Sequence, residues 1–363
     1  MERNVLLNRQ PLGESEKVPW LWMIDDFILN EYKARQLWEK REYSAAIECT
    51  KTAADAALAR SDQAGWWRMT CLMAECQLEL GLMDESAETS LKLTSHEMTL
   101  ADPELLARAN AIRSAGLRSL GHLPEALAAA REAAVNFPDT AYGSRGKLEA
   151  QQVLVAVLAE AGNLDDAWEE AETLTGMITD ETSPEKAGKG YWVVGNVAFL
   201  TGRHWEAVRF HTLASESLSL INDLGLWALF NKASAFMRLS ANLVEPETLQ
   251  CIERAEMALS ISGGSPQDEL DMEIIRAHWR YVTGEFEAAK TQMAAALEQV
   301  HSMTPLSEGD GRLLYARILQ ETGDTEMAIE EAMASLQVFD NAGAGLRAQQ
   351  AKEFLAGVGH RVS

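Results

Sequence analysis

One short motif recurs along the whole chain and restricts its fold more than any other feature. It consists of a glycine, any residue, a bulky residue, two further residues and a small residue, as in "GRHWEA" at Gly202. The other copies start at Gly81, Gly121, Gly162, Gly284 and Gly323, and a variant without glycine, "REYSAA", starts at Arg41. Successive copies are 40, 40, 41, 40, 82 and 39 residues apart. Since the 82-residue interval spans two repeats, the sequence predicts about eight repeats, with the missing turn near Ser240.

Small residues at two fixed distances from the motif indicate that each repeat is a pair of packed helices. Seven residues before the turns stand Ala34, Ala74, Ser114, Val155, Gly195, Ala233, Ala277 and Ala316. Five residues after the regular turns stand Ala46, Ser86, Ala126, Ala167, Ala207, Ala289 and Ala328. Helices approach to about 8–10 Å where small side chains face each other. We therefore expect Gly195 to be a packing residue inside its helix, and Gly202 to end that helix in a left-handed conformation.

These columns resemble the tetratricopeptide repeat (TPR). Tyr191, Val194 and Gly195 stand at the positions of that motif, Ala207 matches its second-helix alanine, and Ala198 departs from its aromatic residue. The resemblance covers about Phe27 to Phe339. It implies an all-α fold, a right-handed α–α superhelix (a TPR-like solenoid) of about eight helix pairs with a C-terminal capping helix. The long repeat is similar to that of sensor domains in bacterial peptide-pheromone receptors and in certain large transcriptional activators.

The repeats divide the chain into three parts. We expect a flexible N-terminal tail over residues 1–18, the helical array over 19–340, and a capping helix with a tail over 341–363. The stretch "GLRAQQAKEFLAG" is the predicted capping helix. The roughly 20 residues before the first helix leave no room for a helix-turn-helix domain of about 60 residues.

The charge balance argues against two classes of partner. The chain has 32 Lys and Arg against 55 Asp and Glu, a net charge of −23. Such a surface repels nucleic acid phosphates and anionic membranes, so we expect neither as a direct partner. The apolar run "WLWMIDDFIL" is too short to cross a bilayer. The four cysteines lack the spacing of a disulfide framework and suit reduced thiols in a cytoplasmic protein.

Motifs that would indicate an enzyme are missing. The sequence has no phosphate-binding loop, no G-x-S-x-G and no H-E-x-x-H, so we expect no catalytic residues, metal or cofactor. Cys71 and Cys76 lie five residues apart, on different faces of a helix. His211 occupies a column otherwise filled mostly by small residues, which favours a satisfied core histidine over a metal ligand.

The TPR resemblance implies that the first helix of each repeat lines a concave groove. Positions 13, 10, 6 and 3 residues before each turn share one helix face. The candidate binding residues there are Arg108, Arg118, Gln152, Lys189, Trp192, Asn196, Phe199, Phe230, Met237, His278 and Tyr281. Aromatic anchors with a few hydrogen-bond donors suit an extended peptide or a partner helix. Packing between repeats, or self-association, is the alternative role for the aromatic residues.

The sequence therefore indicates a non-catalytic TPR scaffold that binds a protein or peptide partner, as a bacterial regulatory or sensor protein would. Asn196 matches a position where TPR proteins often hold a peptide backbone. Trp192 stands where chaperone-tail-binding members carry lysine, so we do not expect that ligand. Two alternatives are a regulator of the response-regulator phosphatase type, for which little room exists before the array, and a structural subunit that forms a homo-oligomer.

Overall fold

The computed structural model describes residues 26–137, 143–219, 221 and 223–359. All regular secondary structure in these residues is helical. The chain divides into two compact units, Met1–Leu80 and Gly81–Ser363. The expected N-terminal tail, residues 1–18, lies outside the described residues.

The first unit contains three helices that pack in succession, α1 on α2 and α2 on α3. Their bounds are α1 (Asp26–Glu39), α2 (Tyr43–Ala59) and α3 (Gln63–Glu79). Their shared core consists of Phe27, Ala34, Ala46, Ala53, Ala54, Ala57, Met69, Leu72 and Cys76. Arg41, at the first turn, has a φ of 62° and takes the conformation that glycine adopts in the other repeats.

The second unit contains the remaining helices. The first helices of its repeats are α6 (Pro103–Ser119), α8 (Gly143–Ala161), α10 (Pro184–Leu200), α12 (Leu224–Ser240), α14 (Pro266–Val282) and α16 (Pro305–Glu321). The second helices are α4 (Met83–Thr94), α7 (Leu123–Asn136), α9 (Leu164–Met177), α11 (His204–Ser217), α13 (Pro246–Ser262), α15 (Phe286–Leu297) and α17 (Thr325–Ala342). Each first helix from α6 onward packs on the second helix that follows it. The other elements are α5 (Glu97–Ala101), a 3₁₀ helix (Val300–Ser302) and α18 (Gly345–Gly357).

The two columns of small residues are buried, except that in the sixth repeat the buried member is Ala235 and the predicted Ala233 is half-buried. Every residue of the column after the turns is fully buried, as are Ala34, Ala74, Ser114, Val155, Ala277 and Ala316 of the column before them. The Ser114 hydroxyl donates a hydrogen bond of 2.7 Å to the Ala126 carbonyl, which joins the two columns directly. A Cβ atom at Gly195 would lie 2.2 Å from Cδ2 of His211. Gly195 is thus a packing residue, and the side chain for which it leaves room is a histidine.

The missing sixth turn is at Asn242, where φ is 55°, and not at Ser240. Asparagine tolerates the left-handed region without a glycine, so the motif gives no sign of this turn. The groove positions counted from Ser240 are therefore wrong by two residues. Counted from Asn242, Lys232 replaces Phe230, Phe236 replaces Ser234 and Leu239 replaces Met237.

Helix α18 forms where it was predicted and makes a contact that the repeat pattern does not foresee. It packs on α16 and α17, and it also touches α8. The turn after α8 presses against it, since a Cβ at Gly162 would lie 2.9 Å from the Leu346 backbone nitrogen. Leu123, at the start of α7, shares a core cluster with Phe339 and Leu355. The end of the chain is thus joined to the third and fourth repeats.

Candidate functional site

A cavity of about 270 Å³ lies in the second unit, where first helices meet α18. Its apolar wall consists of Ala233, Phe236, Ile274, Ile275 and Leu306. Its charged side chains are Arg118, Glu160, Lys232, Asp271, Asp310 and Arg347. We call this site the central cavity. Because α6 and α8 supply one part of the lining and α12, α14, α16 and α18 the rest, the docking of α18 is part of its architecture.

Lys232 is held by two carboxylates at one side of the central cavity. Its Nζ lies 2.7 Å from Oδ1 of Asp268 and 2.8 Å from Oδ2 of Asp271. Burial alone would lower the pKa of Lys232, but the charges of both aspartates outweigh it and raise the pKa. Ser307 and Gln267 also donate hydrogen bonds to Asp271, of 2.8 Å and 2.7 Å. This network holds a charged ammonium group at the cavity wall.

Two arginine–carboxylate pairs form the other side of the central cavity. Nε of Arg347 lies 3.2 Å from both carboxylate oxygens of Asp310. Arg118 Nη1 donates to Oε1 of Glu160 at 2.6 Å. The second oxygen of Glu160 is buried and has no hydrogen-bond partner among the described residues. Burial raises the pKa of Asp310; Arg347 opposes this shift, and the negative charge of Glu160 adds to it.

The lining of the central cavity thus carries three cationic and three anionic side chains beside an apolar wall. Ligand sites commonly combine apolar surface with a few placed polar groups in this way. The unpaired oxygen of Glu160 is an unused acceptor, and a buried polar atom without a partner is costly. The cavity is therefore suited to a ligand that brings both apolar groups and hydrogen-bond donors.

Asn196, a predicted binding residue, belongs to a buried polar network. Its Oδ1 lies 3.1 Å from Nε2 of His211, and the Ser234 hydroxyl lies 2.9 Å from Nδ1. An amide oxygen only accepts, so Nε2 of His211 carries the proton and Nδ1 accepts from Ser234. Burial, and then the charge of Arg238, lower the pKa of His211 to about 3. The prediction of a satisfied core histidine is confirmed.

The aromatic candidates near this network pack in the core. Phe199 and Phe230 are 5% and 2% exposed, and both meet the His211 ring edge-on, at 5.0 and 5.6 Å between centroids. Met237 is 7% exposed. Phe230 and Met237 are also not at groove positions, because the turn of their repeat lies two residues later than expected. Trp192 packs edge-on against Phe230, and its buried Nε1 has no hydrogen-bond partner among the described residues.

The other candidates are spread along the first helices. Arg118 lines the central cavity. Gln152 donates to the Lys186 carbonyl at 3.1 Å, Lys189 pairs with Glu185 of its own helix at 2.8 Å, and Arg108 is exposed. His278 and Tyr281 lie on α14 beyond the cavity residue Ile274, with ring centroids 6.4 Å apart. The structure thus brings only part of the predicted set to one place.

Several cavity residues were not predicted. Lys232 and Phe236 were missed because of the register of the sixth repeat. Asp310 stands 13 residues before Gly323, so the same count applied to the eighth repeat would have found it. No sequence signal indicates Arg347, because its place in the cavity depends on how α18 docks.

Metal and membrane features were also searched in the described part of the chain. It holds no group of three or more His, Cys, Asp or Glu side chains placed to bind a metal ion. None of its helices combines the length and the apolar character needed to span a bilayer. The four cysteines are free thiols; Cys49 is half-buried, and Cys71, Cys76 and Cys251 are buried.

Comparison with solved structures identifies the fold. The chain is similar to ligand-bound phAimR, with a TM-score of 0.60 and 12% identity, over 96% of this chain and 99% of that one. It is also similar to a Rap protein complexed with Competence and Sporulation Factor, with a TM-score of 0.61 and 9% identity, over 92% and 98% of the two chains. No protein-family model matches the sequence. No curated protein matches it either. The expected all-α, TPR-like solenoid fold is confirmed, with similarity to the AimR and Rap type.

Proposed function

We propose that this chain is a non-catalytic regulatory protein of the cytoplasm that binds a short peptide in the central cavity. The observation that carries the proposal is the cavity itself, with its apolar wall, six charged side chains and an unused buried acceptor on Glu160. A peptide supplies what such a lining requires, namely apolar side chains and backbone N–H donors. The fold supports the proposal, since both similar structures hold a ligand or a factor.

The position of the cavity also supports binding that is coupled to regulation. A ligand in it would contact residues of α6 and α8 together with residues of α18. Such a ligand favours the arrangement in which α18 is docked, because it binds that arrangement best. No observation on the described residues favours the phosphatase-type or assembly alternatives.

Filling the central cavity tests the proposal. Ala233 lines the cavity on α12, and Ala233→Trp would occupy part of its volume. The full chain is incubated with a synthetic pool of random pentapeptides, retained peptides are identified by mass spectrometry after ultrafiltration, and their affinities are measured by calorimetry. We expect Ala233→Trp to weaken binding by about tenfold or more, since a tenfold change needs only about 1.4 kcal/mol.

Ala128→Trp is the matched control, because Ala128 is exposed on the second helix α7 and does not line the central cavity. It makes the same chemical change and should leave binding intact. Melting temperatures of both variants show whether either one unfolds. The proposal fails if no peptide is retained by the wild-type chain, or if the two tryptophan variants bind retained peptides equally well.

A further inference from the structure

Three side chains beyond the central cavity present hydrogen-bond donors that the described residues do not use. His278 and Tyr281 lie on α14, one and two helical turns after the cavity residue Ile274. Arg317 lies on α16, two turns after the cavity residue Asp310. By the counts from Gly284 and Gly323, all three occupy groove positions.

Arg317 is a half-buried guanidinium group that no described carboxylate approaches closely enough for an ion pair. It makes no hydrogen bond or ion pair with any described residue, although its charge acts on Asp310, His278 and Tyr281. Its neighbour on the same helix, Arg312, is paired with two carboxylates. In a chain with 55 acidic residues against 32 basic ones, a half-buried arginine without an ion pair among the described residues is suited to an external anion.

His278 and Tyr281 add two neutral donors beside this charge. His278 is 8% exposed, and neither of its ring nitrogens hydrogen-bonds to a described residue. Burial, and then the charge of Arg317, lower the pKa of His278 to about 4, so the ring is neutral near pH 7 and carries one N–H. The Tyr281 hydroxyl also lacks a described partner. The cluster therefore offers a guanidinium fork, an imidazole N–H and a phenol O–H.

We propose that Arg317, His278 and Tyr281 bind a carboxylate group of the peptide whose body occupies the central cavity. This inference rests on the proposed peptide binding and adds the chemistry of one peptide group. A carboxylate fits a guanidinium fork in a bidentate manner. A more highly charged anion such as phosphate fits less well, because Asp310 and Glu321 also act electrostatically on this cluster.

The spacing suits a chain that leaves the cavity along α14. Four residues of helix separate Ile274 from His278, a rise of about 6 Å. Two residues of extended peptide cover a similar length, at about 3.3 Å each. A peptide with an apolar residue against Ile274 thus places a carboxylate beside His278 about two residues later. That carboxylate is either the C-terminus of the peptide or an Asp or Glu side chain.

Four pools of synthetic pentapeptides test the inference on the full chain. They have free or amidated C-termini, each with or without Asp and Glu. We expect the amidated pool without acidic residues to bind at least about tenfold more weakly than the best pool, as for a lost charge-assisted bidentate contact. A strong free-terminus pool without acidic residues would assign the C-terminus, and a strong amidated pool with acidic residues would assign a side chain.

Two variants connect the effect to the cluster. Arg317→Gln should weaken the best pool about tenfold but leave the amidated, acid-free pool unchanged. Arg209→Gln makes the same charge change on the exposed face of the second helix α11, and should change binding by less than about twofold. Tyr281→Phe keeps the ring, removes only the hydroxyl, and should weaken the best pool by about threefold or more. Melting temperatures confirm that each variant is folded.

The inference is overturned if all four pools bind alike, or if Arg317→Gln weakens the amidated, acid-free pool as much as the others. In either case peptide binding, and with it the proposed function, still stands. If no pool is retained by the wild-type chain, the proposed function fails and the carboxylate site fails with it.

Discussion

Gly195→Ala tests the contact that most clearly explains a residue choice in this chain. The added Cβ would lie 2.2 Å from Cδ2 and 2.8 Å from Nε2 of His211, so the imidazole ring has to move. His211 is 3% exposed, and its ring is hydrogen-bonded to Ser234 and Asn196. Movement of the ring therefore breaks two hydrogen bonds in a packed core.

The magnitude follows from three effects of different sign. Alanine is better than glycine inside a helix by about 0.5–1 kcal/mol, which favours the variant. Two lost hydrogen bonds cost about 0.5–1.5 kcal/mol each, and overpacking costs about 1–3 kcal/mol. The net expectation is a loss of about 1–5 kcal/mol in the free energy of unfolding. The melting temperature should fall by about 2–4 °C for each kcal/mol.

Gly176→Ala is the matched control. Gly176 is an exposed residue of the helix α9, and a Cβ there would meet nothing within 4 Å. That variant should be as stable as the wild type, or more stable by up to about 1 kcal/mol. Both variants are compared by thermal and urea unfolding followed by circular dichroism.

A double-mutant cycle with His211→Ala identifies the cause of the loss. If the clash with the imidazole is responsible, Gly195→Ala should cost little once the ring is removed, which gives a coupling energy of about 1–3 kcal/mol. A full loss of stability in the His211→Ala background would refute the argument. So would a Gly195→Ala variant that melts with the wild type.

Two further outcomes follow from contacts and titration in the second unit. Gly162→Ala and Gly202→Ala both place an alanine at a positive φ (86° and 72°), but only Gly162→Ala places a Cβ 2.9 Å from the Leu346 backbone nitrogen. We therefore expect only Gly162→Ala to increase hydrogen exchange in α18. Equal exchange in the two variants would contradict that contact. Since the pKa values of His211 and His278 are lowered to about 3 and about 4, the unfolded chain binds their protons first as pH falls below about 6.5. The free energy of unfolding should then fall by about 1.4 kcal/mol per histidine for each pH unit, down to about pH 4. In urea unfolding, His278→Asn should reduce this dependence of the unfolding free energy on pH. An unchanged dependence would show that His278 is protonated in the folded chain.

The repeat architecture could be predicted because each repeat carries its own local sequence signal, and that signal recurs many times. The turns at Gly121 and Gly202 require a residue in the left-handed conformation, and the close helix packing at Ala126 and Ala207 requires a small side chain. Each requirement recurs at a fixed distance along the chain. The sixth repeat shows how this signal is lost. Asn242 satisfies the same backbone requirement with a different residue, and the two-residue error moved the prediction from Lys232 to Phe230.

The candidate site could not be predicted to the same extent, because it depends on a contact that has no period. Arg347 meets Asp310 across 37 residues, and Leu346 meets Gly162 across more than half of the second unit. The repeat pattern places each helix against its sequence neighbours only. Which first helices share a cavity is decided by where α18 docks, and that depends on a few side chains at the end of the array.

The same dependence gives the site its physical character. Arg118 and Glu160 lie on α6 and α8, in the third and fourth repeats. Asp310 and Arg347 lie on α16 and α18, and all four side chains line one cavity. Burial raises the pKa of Asp310, and Glu160 retains a buried oxygen without a partner among the described residues, so the cavity lining carries an electrostatic cost that these residues do not remove. In the proposed binding mode, a peptide that supplies donors there lowers this cost only while α18 is docked. Under this proposal, peptide affinity and the docking of α18 are linked by one free energy, and a change in either must appear in the other.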